Sequence, residues 1–248
     1  MSYPARRVGA KDFPATELSA VRGAISDDGA LRRSSWRRIA DAYYKPVYAY
    51  ARLRFRLSES EASDLTQAFF ARCMERELLG AYDIGKGRFR TFLRVCLDRF
   101  AIDVHRASRS QAGTGKLPPV PFDLAKTDAE IAARRTQPVE DPEKCFEAEW
   151  VRRIVELSVE HLREHCATRG KEEHWRIFER YHLADMDAPP PSYEQLAEEL
   201  GLSAVTIQNR LSYARRHFRR LALDILRDLT ANEEELRLEA RTVLGIEP

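Results

Sequence analysis

Between Ser192 and Arg220 the chain reads SYEQLAEELGLSAVTIQNRLSYARRHFRR, two helical periods parted by a single glycine. No other stretch restricts the fold as tightly. Ser192 and Gln195 have the spacing of a capping box, and Tyr193, Leu196, Ala197 and Leu200 share one side of the short helix that follows. Gly201 stops that helix, and Ser203 caps a second in which Ile207, Leu211, Ala214, Phe218 and Leu221 recur at spacings of four and three. Off that stripe lie Thr206, Asn209, Arg210, Tyr213, Arg216 and Arg220. The segment holds arginine at 210, 215, 216, 219 and 220 and no acid from Ser203 onward, whereas an ordinary solvated face mixes both signs. The spacing predicts a helix-turn-helix over 192–220 whose outer side offers an amide and guanidinium groups to base edges and phosphates.

Helical spacing recurs along most of the chain and sustained alternation is lacking, so the fold class expected is all-α. Trp36, Ile39, Tyr43, Val47 and Tyr50 form packing faces, with a break or new first turn at Lys45-Pro46. Near Ser60 another helix begins, with Ala62, Leu65, Phe69 and Cys73 inward and Glu61, Asp64 and Gln67 off that face. FRTFLRVCLDRFAIDVHRA is a further amphipathic helix. From 110 to 144 the pattern dissolves into QAGTGKLPPVPF and TQPVEDPEK, which reads as a flexible linker between two small helical domains. The expected division is an N-terminal extension at 1–33, a first domain at 34–109, the linker at 110–144, a second domain at 145–230 and an acidic tail at 231–248.

Hydrophobic residues make up 44% of the 248, enough for folded cores, and the net charge of +2 means that any nucleic-acid surface must be a segregated patch. No apolar run reaches membrane-spanning length and MSYPARRVGAKDF lacks a signal core, so a cytoplasmic protein without membrane contact is expected. Cys73, Cys96, Cys145 and Cys166 are scattered and read as reduced thiols. His161, His165, Cys166 and His174 have helical ligand spacing, but His161 continues the Trp150, Ile154, Leu157 stripe, which favours a packed histidine over a metal ligand. No metal or other cofactor is expected.

From Lys86 to Arg109 basic residues outnumber Asp98 and Asp103 and are interleaved with Phe89, Phe92 and Phe100. Cations with aromatics suit opened or single-stranded DNA, with the arginines as contacts and the phenylalanines mainly as core.

Three blocks together resemble one family. ESEASDLTQAFFARCMERE is similar to the D-A-E-D-L-x-Q-x-x-F helix of region 2.2 in the extracytoplasmic-function, group IV, sigma factors of the sigma-70 family. FRTFLRVCLDRFAIDVHR resembles their F-R-x-W-L…D-x-x-R segment, and 192–220 their region 4 helix-turn-helix, in family order. The resemblance runs from about Ser34 to Leu229. It implies a dissociable subunit of bacterial RNA polymerase with no active site of its own. Glu61, Asp64 and Gln67 would meet the β′ clamp helices, and the β flap is the other part of core polymerase the resemblance implies as a partner. Arg88, Arg90, Arg94, Arg99 and Arg106 would take the minus-10 region, and Thr206, Asn209, Arg210, Tyr213, Arg216 and Arg220 the minus-35 element of promoter DNA.

The departures from that pattern bear on regulation. Ser63 replaces the second acid of the motif and Thr66 an apolar residue, so a charge is missing at the polymerase-facing helix. An exposed ion pair is worth about 0.2–1 kcal/mol, and a phosphate of charge about −1.5 to −2 would more than replace it. Ser63 and Thr66 are therefore candidate phosphosites for a serine/threonine kinase; an anti-sigma factor is the other regulator the family implies. Arg99 stands where the family carries asparagine, which leaves the preferred minus-10 base open. The rival reading is a helix-turn-helix regulator that acts without polymerase, which would bind duplex half-sites by itself. An enzyme is disfavoured by the lack of a phosphate-cradling glycine loop, a nucleophile elbow or an HExxH motif.

Overall fold

A computed structural model describes residues 19–75, 82–83, 85, 87–110, 141–184 and 189–245. Among the described residues every regular element is an α-helix: α1 (Ala20–Ala24), α2 (Gly29–Arg54), α3 (Glu59–Met74), α4 (Phe89–Ser110), α5 (Pro142–Thr168), α6 (Glu172–His182), α7 (Tyr193–Leu200), α8 (Ala204–Asp228) and α9 (Glu233–Leu244). The expected all-α class holds. No helix among these residues is long and apolar enough to cross a membrane. Most of the expected linker, 111–140, lies outside the described residues.

Helix α2 is the centre of the larger core. Asp28 caps it, accepting from the backbone of Ala30 and Leu31. Its second half is buried nearly all round, with Tyr43, Tyr44, Val47, Tyr48 and Tyr50 at 1% exposure or less, as a helix must be when neighbours cover every side. The break expected at Lys45-Pro46 does not occur: Pro46 sits inside the helix, where packing outweighs the backbone bond that proline cannot make. Phe146 and Trp150 of α5 stack near Tyr43, at 6.5 and 6.2 Å between ring centroids, and Phe89 of α4 meets the same ring edge-on at 5.8 Å.

The cores do not divide at the expected linker. Phe146, Trp150 and Ile154 of α5 lie in the larger core with Trp36, Ile39 and Leu97, while Leu162 and Cys166 at the other end of α5 lie in a smaller core with Ile177, Leu196 and Leu211. Helix α8 does the same, placing Ile207, Leu211 and Ala214 in the smaller core and Leu226 in the larger. The extension and the acidic tail, whose roles the sequence leaves open, both join the larger core. The extension contributes buried Ala20, Val21 and Ala24, and the backbone N–H of Ala20 donates to Asp228. The tail forms α9 and buries Glu235, Leu236, Glu239 and Ala240. Short, weakly patterned segments show little periodicity in sequence, yet each covers apolar surface that would otherwise face water.

Candidate nucleic-acid interface

The helix-turn-helix assembles as its residues dictate. Ser192 and Gln195 make reciprocal bonds, Ser192 N–H to Gln195 Oε1 at 2.7 Å and Gln195 N–H to Ser192 Oγ at 3.2 Å. Gly201 has φ +65°, a left-handed conformation that glycine adopts without steric penalty, and the N–H of Leu202 returns to the Ala197 carbonyl. Ser203 Oγ accepts from the N–H of Thr206 at 3.1 Å and opens α8. Leu196, Ile207, Leu211 and Ala214 close the interface beneath, and Arg180 holds Glu199 through two bonds of 2.8 and 2.9 Å.

That packing turns Asn209, Arg216 and Arg220 outward, as the spacing predicts, on a stripe that continues through Gln208, Ser212 and Arg219. Val205, 66% exposed, heads it. The last four residues share the period of Asn209 and Arg216, so the helical wheel alone could have found them. Three expected contacts are used otherwise. Thr206 is half-buried, its hydroxyl 2.8 Å from that of Ser203. Arg210 is paired with Glu173 of α6. Tyr213 is half-buried among His165, His174 and His217, an aromatic setting drawn from three helices that no local pattern reveals. Arg215 is drawn inward over the Tyr181 ring at 4.8 Å.

On α3, Ser58 and Glu61 form a capping box, and hydrogen bonds from the Ser58 hydroxyl and backbone hold the exposed Glu61 carboxyl below its usual range. Asp64 is exposed; Gln67 is half-buried and donates to Ser63 Oγ at 3.1 Å. Ser63 and Gln67 lie beside the Tyr44 phenol, where burial raises the pKa, these two polar neighbours oppose the rise and Asp64 adds to it. Ser63 retains partial exposure. Thr66 is 0% exposed. It faces the core one turn from Ala62 and Phe70, so it is not a site a kinase can reach on the folded protein, contrary to the expectation for a helix-surface residue.

The α4 arginines depart furthest from expectation. Arg90 is 4% exposed, its Nε 2.9 Å from Glu239, its guanidinium also paired with Glu147 and lying 4.7 Å over the Trp150 ring. Arg94 pairs with Glu143 at 2.9 Å and is mostly covered. Arg88 lies 3.9 Å from Glu239. Only Arg99 and Arg106 of the five are exposed. The acids come from α5 and α9, more than forty-five residues away in sequence, which is why local charge counting assigns these arginines to solvent. Asp98 is likewise engaged, accepting from the Tyr50 hydroxyl at 3.0 Å.

Burial pushes the Cys96 thiol up to about 11 and raises that of Cys73 further, which keeps both protonated. His161 is exposed and not packed, because the buried face of α5 runs from Trp150 and Ile154 through Ser158 and Leu162 and leaves it to one side. Among the described residues no group of histidines, cysteines and acids has the geometry to hold a metal ion. No family model matches the chain, and neither a curated protein nor a solved structure matches it.

Proposed function

We propose that this chain is an alternative sigma subunit of bacterial RNA polymerase, acting in the cytoplasm to bring core enzyme to promoters. The observation that carries the reading is the α7–α8 pair: two capped helices about a left-handed glycine, with Asn209, Arg216 and Arg220 on one exposed stripe. An amide and guanidinium groups at that spacing suit a major groove and its flanking phosphates. The exposed Glu61 and Asp64 on α3 supply the acidic face that a basic clamp helix would meet, and Ser63 beside them is the position where phosphorylation would restore a missing charge. Thr66 has no part in this switch.

For α4 to meet a melted strand, Arg90 and Arg94 must exchange Glu239, Glu147 and Glu143 for phosphates, so α5 and α9 must leave α4 when polymerase binds. Two modules joined through 110–144 would then be the polymerase-bound arrangement. The engagement of those arginines also favours a second reading, a helix-turn-helix regulator that binds duplex DNA without polymerase.

Transcription in vitro separates the two. With bacterial core polymerase and genomic fragments, a sigma subunit yields discrete transcripts only when chain and core are both present, and the Ser63→Glu variant binds core more tightly than Ser63→Ala. A regulator binds paired half-sites and yields no transcripts from core. Failure to bind core, with Ser63 phosphorylated or not, defeats the sigma reading.

A further inference from the structure

Where the end of α5, the start of α6 and the middle of α8 meet, four rings gather. His165 and His217 stack with centroids 4.4 Å apart and planes 25° from parallel. Tyr213 lies 4.2 Å from His217 and 4.9 Å from His174, and its hydroxyl is 3.2 Å from His165 Nε2. The groups facing these rings are almost all cationic. Arg169 and Arg220 act on both stacked imidazoles, and Arg216 on His217. Lys171 sits over Tyr213, its Nζ 5.8 Å from the ring centroid, and with Arg210 acts on His174. Among the described residues the one acid acting on these imidazoles, Glu173, is already held by Arg210. Burial first, and then these cations, keep all three imidazoles below their ordinary pKa.

Two imidazoles in face contact cannot both take a proton while arginines surround them, because like charges at that separation repel strongly. An anion reverses the balance: it offsets the arginines and accepts from the newly protonated ring nitrogens. Arg216 and Arg220 belong both to this cluster and to the exposed stripe of α8 with Asn209. An extended polyanion lying on that stripe therefore passes the rings as well and meets Arg216 and Arg220 of α8 together with Arg169, the C-cap of α5, which a small free anion cannot do.

We propose that His165 and His217, with Tyr213, Arg169 and Arg220, form a proton-linked site for the phosphodiester backbone of duplex DNA. The site takes up protons from solvent as the backbone docks. It rests on the DNA-binding part of the reading above and is independent of polymerase. Because the bound form holds the extra protons, affinity rises as pH falls.

The test is fluorescence anisotropy with a labelled duplex of arbitrary sequence, at constant ionic strength, from about pH 8 to about pH 6. The wild type tightens on acidification, by at most about tenfold per pH unit for each proton taken up. Replacing His165→Gln and His217→Gln together removes most of the pH slope. Titration calorimetry of the wild type in two buffers of different ionisation heat reads the proton uptake directly, without any variant. A wild type that binds duplex equally at all pH values, a double variant that keeps the full slope, no proton uptake by calorimetry, or no duplex binding at all each overturns the site. None of these outcomes bears on core binding, so loss of transcription with core enzyme marks a failure of the sigma reading instead.

Discussion

Glu239 enters the larger core on α9 and is 2% exposed at its side chain beside Arg90. Burial pushes its carboxyl up to about 7, against the opposing pull of Arg90 and Arg88 and with Glu235 adding to the rise. A carboxyl raised above its unfolded value favours folding while it is protonated in the folded state, and that contribution is lost as pH rises from its unfolded pKa through about 7. The Glu239→Gln variant cannot ionise there. Urea midpoints at pH 5 and pH 8 should show the variant gaining on wild type by about 2–3 kcal/mol between those values. The comparison must be a difference, because the histidines held low titrate with the opposite sign over part of the range. Arg90→Met leaves buried carboxylates without their cation and should cost about 3 kcal/mol in chemical denaturation at neutral pH, whereas the double replacement Arg90→Met with Glu239→Leu should recover most of it. At this scale the sequence was a partial guide. Asn209, Arg216 and Arg220 were legible because exposure on a helix follows its period. Arg90, Arg94 and Thr66 were not, because their partners lie on helices that only packing brings near.

Elements explain which helices formed on their own signals and which on borrowed ones. Helix α7 carries its own cap and stop, so Ser192→Ala should lower stability by about 1 kcal/mol through loss of the side-chain acceptor, read as a shift in thermal midpoint. Gly201→Ala meets no neighbouring atom but places a Cβ on a left-handed residue, and a cost of about 1–2 kcal/mol is expected. Gly23 on α1 differs in kind. A Cβ there would fall 2.1 Å from Ser35 Oγ, so Gly23→Ala should force α1 off α2 and cost about 1–3 kcal/mol by overpacking. Helix α4 depends on α9 at its start: Glu235 accepts from the backbone N–H groups of Phe89 and Ala231, at 2.6 and 2.8 Å, and so satisfies a donor that α4 leaves open. The cap of α7 was readable three residues ahead, while that of α4 comes from 146 residues away.

In the whole molecule, α5 and α8 run through both cores, so neither core can lose its packing without disturbing a helix that the other needs. Unfolding should be one cooperative transition: Ile39→Ala in the larger core and Leu211→Ala in the smaller should each cost about 2–5 kcal/mol and shift the same denaturation midpoint by circular dichroism and tryptophan fluorescence. Two separable transitions would instead support independent domains about 110–144. The all-α class, the stripe of α2, the inner face of α3 and the capped α7–α8 pair followed from residue order alone, since helical period and capping act over three or four residues. The shared core, the burial of Arg90 and the gathering of His165, His174, Tyr213 and His217 were decided by tertiary packing. Those contacts join helices remote in sequence, and the burial and Coulomb energies that select them depend on distance in space.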